Sequence, residues 1–293
     1  MKTSGLFTTH HFEIPMRYGQ EICVEIFGDI HRDSPNHADA KWQEDLKYWR
    51  SLPKESTYFL GMGDYLDSTS TTERECLGDI SKKMHETYRR DIKALQEAKI
   101  DLIADELSFM KNRLIGLING NHYFMFDSNI NGDQMLAHRL GCKYLGVCSL
   151  IRLSFDEHGR THTIDVFAHH GMGAARLVGG SLNRVAQMFE GVEADIAIMG
   201  HDHKRGAVPS TPRLYLDSTR TVDMKIRQRE TWAVRSGSYL ANFRDGEVNY
   251  NVDSCRMPAS LGHVEMRVRF GRDRRGVSKN DAGEVTHQIR FLT

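Results

Sequence analysis

Long apolar runs are missing from this chain of 293 residues. No stretch approaches the roughly 18 uninterrupted apolar residues that a membrane-spanning helix needs. The N-terminal sequence MKTSGLFTTHHFEIP also lacks the apolar core of a secretory signal peptide. We therefore expect a cytoplasmic protein with no membrane association.

Paired cysteines are missing as well. The five cysteines are odd in number and contain no Cys-x-x-Cys pair, so the sequence indicates neither a disulfide framework nor a zinc ribbon. They are Cys23, Cys76, Cys142, Cys148 and Cys255. We expect these thiols to be reduced and mostly buried.

Internal repeats, low-complexity tracts and convincing linkers are also lacking. A hydrophobic content of 40% and a charged content of 27% are ordinary for a soluble globular protein. The chain is long for one small domain, but an α/β sandwich with insertions can hold it as one core. We predict a single domain over residues 1–293, with a β-rich part at 204–293.

The formal net charge is zero, but the charges are unevenly distributed. Residues 200–293 contain 17 Lys and Arg against 11 Asp and Glu, a net charge of +6 that leaves −6 for residues 1–199. The basic residues concentrate in one strip, Arg267, Arg269, Arg272, Arg274, Arg275 and Lys279. Such a strip can attract a phosphate backbone, although a solvated loop between two strands is the commoner explanation.

Apolar and polar residues alternate in a way that predicts strands separated by helices. Strands are predicted at 21–28, 57–60, 114–118, 163–168 and 195–199, and later at 213–216, 231–234, 264–270 and 285–292. Helices are predicted at 37–50, about 79–113, 132–140 and 181–189. Each of the first five strands runs into a polar motif, and such motifs meet where strands of an α/β sheet end.

The five motifs contain metal-binding side chains. They are Gly28-Asp29-Ile30-His31, Gly63-Asp64, Gly120-Asn121-His122, His169-His170 and Gly200-His201-Asp202-His203. Each alone is weak, since Gly-Asn-His and Gly-His-Asp-His are also ordinary turn sequences. Together they offer carboxylate, amide and imidazole donors without thiolate, a set that suits Mn²⁺, Fe or Zn²⁺. The Asp64 carboxylate could bridge two such ions with its two oxygens.

The motifs resemble those of calcineurin-like metallophosphoesterases, whose pattern is Asp-x-His, Gly-Asp, Gly-Asn-His, His and Gly-His-x-His. The match extends over residues 22–203. The resemblance implies a four-layer α/β/β/α sandwich, in which two mixed β-sheets are flanked by helices. It also implies two divalent metal ions, with manganese preferred over iron or zinc.

The resemblance assigns a ligand set to each metal. The first metal would be bound by Asp29, His31, Asp64 and His203. The second would be bound by Asp64, Asn121, His201 and one of the adjacent histidines. We prefer His170 over His169, because family strands in which histidine directly precedes glycine favour it, but the His-x-Gly variant keeps His169 open.

Two further residues acquire roles through the resemblance. His122 would be the general acid that protonates the leaving oxygen after a metal-bridging hydroxide attacks phosphorus. Asp67 matches the second aspartate of Gly-Asp-x-x-Asp and would orient the His122 ring. Two departures weaken a protein-phosphatase assignment: Tyr123 stands in place of an acid, and Ser68 in place of an arginine.

The sequence therefore predicts a metal-dependent phosphoesterase. The preferred substrate is a phosphodiester in a nucleic acid or a nucleotide, because the C-terminal third is basic and Tyr123 disfavours the phosphoprotein branch. One alternative is a phosphomonoesterase acting on a small molecule or a phosphoprotein. An alternative of another class is a catalytically silent metal-binding scaffold. The oligomeric state is left open.

Overall fold

The fold consists of two β-sheets packed face to face, with helices on both outer surfaces. A computed structural model describes residues 7–293 except 18, 82–83, 127–128, 158–159, 174, 218–224, 242, 244–257, 259 and 273–284. Its strands are β1 (Phe7–Pro15), β2 (Glu21–Phe27), β3 (Thr57–Gly61), β4 (Leu114–Leu117), β5 (Cys148–Glu157), β6 (Arg160–His169), β7 (Ile196–Met199), β8 (Arg205–Pro209), β9 (Arg213–Asp217), β10 (Lys225–Arg229), β11 (Trp232–Ser236), β12 (Val264–Arg272) and β13 (Val285–Leu292). Its α-helices are α1 (Asp39–Ser51), α2 (Thr71–Ser81), α3 (Glu86–Leu107), α4 (Gly132–Leu140) and α5 (Val178–Ala186).

Both large sheets are mixed. The first has the order β13-β12-β2-β3-β4, in which β2, β3 and β4 are parallel and β12 runs antiparallel to both of its neighbours, β2 and β13. The second has the order β1-β5-β6-β7-β11-β8, with a parallel run of β6, β7 and β11. Strands β9 and β10 form a separate antiparallel ribbon. The C-terminal strands β12 and β13 thus extend the sheet that contains the first three motifs.

The main core lies between the sheets. Along β2, Ile22, Val24 and Ile26 alternate with residues that face the helices, and all three are buried against residues of the second sheet such as Ile151 and Val166. This period of two is what a half-buried strand imposes on its sequence. Each large apolar side chain fully removed from water contributes about 1.5–3 kcal/mol.

Helices complete the outer layers. On the first sheet, Trp42 and Trp49 of α1 pack with Ile103 of α3 against the strands. On the second sheet, Val185 of α5 packs with Ala197 of β7. The four layers are therefore helix, sheet, sheet and helix, and the predicted α/β/β/α sandwich of two mixed sheets flanked by helices is confirmed.

Some predicted elements differ from the structure. The long helix predicted at about 79–113 is two helices, α2 and α3, followed by a 3-10 turn at Ser108–Met110. Strands β1, β5, β8 and β10 were not predicted, although β1 pairs with β5 along nine residues of each. Helix α4 matches its prediction at both ends because local signals define it: an Asn131 capping box at the start and Gly141 with φ 66° at the end.

Four cysteines lie in the described part of the chain, and none of these four takes part in a disulfide. Cys23, Cys142 and Cys148 are half-buried, whereas Cys76 is exposed. Cys255 lies outside the described residues. None of the described helices combines the length and the apolar character that crossing a membrane requires.

A buried ionic cluster joins α1 to the first sheet. His263 contacts Asp45 of α1 through Nδ1 at 3.1 Å and Glu25 of β2 through Nε2 at 3.0 Å. Burial disfavours the protonated ring, but the two carboxylates outweigh burial and raise the pKa of His263 from 6.5 to about 9. A protonated His263 therefore stabilises the folded state.

This cluster gives a pH-dependent stability prediction. Because the pKa of His263 is raised on folding, its contribution should be complete below pH 6.5 and lost as pH rises through about 9. We expect wild type to exceed His263→Gln in unfolding free energy by at most about 3 kcal/mol below pH 6.5, with little difference above pH 9. Urea unfolding in the presence of EDTA measures this, and exposed His138→Gln is the control. A difference that does not change with pH would refute it.

Candidate metal centre

The five motifs lie at one edge of the molecule, where strands of both sheets end. The loops after β2, β3 and β4 come from one sheet, and the loops after β6 and β7 come from the other. Backbone hydrogen bonds fix the loops to each other: Asp29 N donates to Gly63 O at 2.9 Å, and Gly200 N donates to His170 O at 2.8 Å. The sheets therefore bring together side chains that are far apart in sequence.

The first donor group consists of Asp29, His31 and His203. Each residue offers a ligand atom, and these atoms lie within 4.8 Å of one another. His203 Nε2 is 3.5 Å from Asp29 Oδ1, and the His31 and His203 rings meet edge to face at 5.2 Å. These three residues belong to the ligand set predicted for the first metal.

The second donor group consists of Asp64, His170 and His201, with Asn121 between the histidines. The Asn121 side-chain oxygen is 2.8 Å from His170 Nε2 and 2.7 Å from His201 Nδ1. His170 Nε2 is also 3.1 Å from Asp64 Oδ2. These four residues are the ligand set predicted for the second metal, and the structure brings them together.

Asp64 connects the two groups through a single oxygen. Its Oδ1 accepts backbone hydrogen bonds from Asn121 N at 2.7 Å and His122 N at 2.9 Å. Its Oδ2 faces His170 Nε2 at 3.1 Å and His31 Nε2 at 3.7 Å. The sequence suggested that both oxygens would bridge; in the structure Oδ1 is engaged by the backbone, which leaves Oδ2 for both groups.

The two adjacent histidines face different environments. His170 is buried, and its Nδ1 donates to Met62 O at 2.7 Å, so Nε2 is the ring nitrogen that faces the second group. The Nδ1 of His169 instead accepts a hydrogen bond from Gly171 N at 2.7 Å. The structure thus places the preferred histidine, His170, in the donor group.

Five predicted ligands have left-handed backbone conformations that side chains other than glycine rarely adopt. Their φ angles are 47° at Asp29, 46° at His31, 50° at Asp64, 72° at His201 and 58° at His203. Among the described non-glycine residues only Asn112 and Asn129 share this feature. Each such residue costs on the order of 1–2 kcal/mol, and strain of this kind concentrates at functional sites.

Two motif glycines are required because other atoms approach them closely. A Cβ at Gly120 would lie 2.1 Å from Asp64 Oδ1, and a Cβ at Gly200 would lie 2.6 Å from Asp29 Oδ2. Any larger residue would therefore displace a carboxylate of the donor groups. This explains the glycines of Gly-Asn-His and Gly-His-Asp-His.

Burial perturbs the ionisation of the site. Burial raises the pKa of Asp29 to about 7. His170 and Asp64 stabilise each other as an ion pair against burial, which raises the pKa of His170 to about 10 and holds that of Asp64 well below its usual range. Burial and the nearby His170 lower the pKa of His201 to about 4. Perturbed groups that converge at one edge are typical of a functional site.

The donor set fits divalent metal ions. His31 Nε2 is buried, faces Asp64 Oδ2, and has no hydrogen-bond partner within the part of the chain that the structure describes. A buried polar atom without a partner costs free energy, which a bound cation at this position would recover. Two carboxylates, an amide oxygen and four imidazoles are also the mixed oxygen and nitrogen set that Mn²⁺, Fe and Zn²⁺ accept.

His122 and Asp67 lie next to the first donor group. Asp67 Oδ1 is 2.8 Å from His122 Nδ1 and 3.4 Å from His31 Nδ1. The contacts with His122 and His31 hold the pKa of Asp67 well below its usual range. The His122 side chain is 27% exposed, against 3% for His31, so His122 can be reached from solvent.

Asp67 is itself held in place by a residue that sequence reasoning missed. Its backbone N donates to Asp33 Oδ1 at 2.5 Å, and Lys99 of α3 contacts the other oxygen of Asp33 at 2.6 Å. Asp33 lies two residues after a predicted ligand, but nothing local signals this contact. Only the packing of α3 on the sheet brings Lys99 to it.

Other supporting residues were also missed by sequence reasoning. Asp133 in the first turn of α4 accepts a hydrogen bond from Gly120 N at 2.7 Å. Ser238 and Tyr239 both donate to Asp29 O, at 3.0 and 2.9 Å. The Asn131 capping box could have suggested that the start of α4 lies near the motif loop, whereas the role of Ser238 and Tyr239 has no local signal.

The motif residue Asp202 faces away from both donor groups. It accepts a hydrogen bond from Ser181 Oγ, and its Oδ2 lies 3.5 Å from the fully buried guanidinium of Arg235. Arg235 Nη1 also donates to Gly200 O at 2.6 Å. The buried arginine thus contacts the residues on both sides of His201, the backbone of Gly200 and the side chain of Asp202.

Comparison with known proteins finds similarity at the level of solved structures. Neither a protein-family model nor a curated protein sequence matches the chain. Vps29 from Entamoeba histolytica, solved as a double mutant, is 12% identical at a TM-score of 0.36, over 93% of this chain and 100% of that one. A conserved uncharacterized protein of Streptococcus pneumoniae, described as a predicted phosphoesterase, is 11% identical at a TM-score of 0.31, over 94% and 90%. Similarity at these TM-scores does not establish a function. The function of this chain must therefore be inferred from its own site residues.

Proposed function

We propose that the chain is a phosphoesterase that depends on two divalent metal ions. The observation that carries this proposal is the geometry of Asp64, whose Oδ2 lies between the two donor groups, with His122 beside the first. Asp29, His31, Asp64 and His203 would hold one ion, and Asp64, Asn121, His170 and His201 the other. Metal ions so held would neutralise phosphate oxygens and lower the pKa of an attacking water.

The chain's own side chains would complete the reaction. The departing oxygen needs a proton because an alkoxide is a poor leaving group. The Nδ1 of His122 lies 2.8 Å from Asp67 Oδ1, which leaves Nε2 as the atom that would donate this proton. Asp67 orients the ring through this 2.8 Å contact. The presence of this pair also argues against the catalytically silent scaffold.

A phosphodiester is the substrate that the surroundings favour. A phosphomonoester carries an extra negative charge, for which an arginine is the usual partner. Where protein phosphatases have that arginine, this chain has Ser68, whose hydroxyl is 2.8 Å from Gln96 Oε1. Nearby Arg32 is paired through two nitrogens with Glu106, at 2.8–3.0 Å. Neither residue is therefore available to hold the second charge of a monoester.

The comparison of two esters tests this function. With Mn²⁺ added, we expect the protein to hydrolyse bis-p-nitrophenyl phosphate at least about tenfold faster than p-nitrophenyl phosphate, a preference worth about 1.4 kcal/mol. Release of p-nitrophenolate is measured for both. A faster monoester reaction would reassign the enzyme as a phosphomonoesterase. Inertness toward both esters with Mn²⁺, Fe²⁺ and Zn²⁺ would support the scaffold.

The kind of phosphodiester, the identity of the metal and the location of the protein are proposed from the sequence alone. Nuclease activity was suggested by the basic strip, but Arg267 contacts Glu265 and, at 3.3 Å, Glu21. Arg274, Arg275 and Lys279 lie outside the described residues. A nucleic acid or nucleotide substrate, manganese as the metal and a cytoplasmic location stay predictions.

A further inference from the structure

Arg74 of α2 extends into the space between the two loops that contain Asp67 and His122. A capping box fixes the start of this helix: Ser70 N donates to Glu73 Oε2 at 2.7 Å, and Glu73 N donates to Ser70 Oγ at 3.3 Å. Arg74 follows in the first turn, where side chains point back toward the helix N-terminus. The sequence thus places its guanidinium beside the preceding loop.

The Arg74 guanidinium binds both loops at once. Its Nη1 donates to Thr69 O at 2.6 Å, in the loop that contains Asp67. The same nitrogen lies 2.8 Å from Asn121 O and 3.2 Å from Tyr123 O, the carbonyls on either side of His122. One cationic group therefore links the loop that contains the proposed acid to the loop that contains its orienting aspartate.

Tyr123 adds a second contact to this link. The Arg74 guanidinium carbon lies 3.9 Å from the centre of the Tyr123 ring, close enough for a cation–π interaction. Thr69 Oγ also donates to Tyr123 O at 2.6 Å. Tyr123 is the residue that replaces the acid of the phosphatase pattern, and its ring here serves as the surface on which the arginine rests.

We propose that Arg74 is a positioning residue that fixes His122 against Asp67. The inference rests on the proposed function of His122 as general acid. The 2.8 Å contact between His122 and Asp67 joins residues of two separate loops, so its length depends on how these loops are held. A planar guanidinium can bind several carbonyls and a ring face together, whereas a lysine ammonium cannot stack in the same way.

The first test observes the His122 ring directly and requires no activity. We would record ¹⁵N-histidine NMR spectra of the metal-free protein. The signals of His122 are assigned by their absence from the spectrum of His122→Gln. Wild type should show the tautomer protonated at Nδ1, which the Asp67 contact selects. We expect Arg74→Gln to lose this preference and Arg74→Lys to retain it in part. Arg90→Gln, at an arginine of α3 whose side chain is 76% exposed, should match wild type.

The second test uses two diesters that differ only in the leaving group. Methyl phenyl phosphate needs a proton on its departing oxygen, whereas methyl p-nitrophenyl phosphate does not. For Arg74→Gln we expect kcat to fall about 10- to 100-fold on the phenyl ester and to stay within about threefold on the nitrophenyl ester. A merely structural defect would lower both rates equally. If Arg74→Gln does not fold, Tyr123→Leu should give a smaller change with the same leaving-group dependence.

The outcomes separate this inference from the proposed function. If wild type hydrolyses neither ester, the proposed function fails, and the NMR comparison still decides whether Arg74 orients His122. An unchanged His122 tautomer in Arg74→Gln, or an equal loss of rate on both esters, would overturn the role of Arg74.

Discussion

Asp64→Asn should lose both metal ions while the protein stays folded. The asparagine oxygen can still accept the two backbone hydrogen bonds that Asp64 Oδ1 receives from Asn121 and His122. The amide nitrogen would replace Oδ2, the atom that faces both donor groups, and it carries no negative charge and no lone pair for a metal. Loss of a residue that only hydrogen-bonds a metal ligand lowers metal affinity by about 10- to 100-fold. We expect the metal affinity of each site to fall by more than this in Asp64→Asn.

Calorimetric titration with Mn²⁺ and metal analysis after dialysis measure this effect. The matched control is Asp101→Asn, at an aspartate that is 52% exposed and paired with Arg139 on the surface. This control should bind two ions as wild type does. If Asp64→Asn also retains two ions at wild-type affinity, Asp64 does not bridge the sites. Loss of one ion only would place Asp64 in a single site.

His122→Ala should separate binding from turnover. His122 lies outside both ligand groups, so the variant should bind two ions with unchanged affinity. Removal of a general acid costs about 10²- to 10⁴-fold in rate, and we expect the larger loss on esters with poor leaving groups. Steady-state kinetics with methyl phenyl phosphate, together with metal titration, measure both quantities.

Two further variants test whether His122 acts as the general acid. Asp67→Asn keeps the side-chain shape but removes the charge, and it should give a smaller loss of rate than His122→Ala on the phenyl ester. His138→Ala, at an exposed position of α4, should behave as wild type. Full activity of His122→Ala on the phenyl ester would show that another group delivers the proton, whereas loss of metal in this variant would make His122 a ligand.

Elements with complete local signals agree best between sequence and structure. Helix α4 has a capping box, an apolar face and a left-handed glycine at its end, all within eleven residues of sequence. Strand β2 is predicted by its alternation of apolar and polar residues, whereas β4 and β7 are short continuous apolar runs, as expected of strands buried on both faces. The boundary between α2 and α3 was missed because both helices continue the same charged and apolar pattern. Strand β1 was missed because its pairing with β5 joins residues about 141 apart.

The sequence alone determined the chemistry of the candidate site: which residues carry donor atoms, and that strand ends would bring them together. That much is local, because a strand followed by a glycine and a polar residue signals its own end. Only the tertiary structure decided that His170 rather than His169 faces the donor groups, that Oδ2 of Asp64 faces them while Oδ1 accepts backbone hydrogen bonds, and that Arg74 spans two loops. These outcomes depend on hydrogen bonds from distant segments, such as His170 to Met62 and Arg74 to Asn121, and no local pattern contains them.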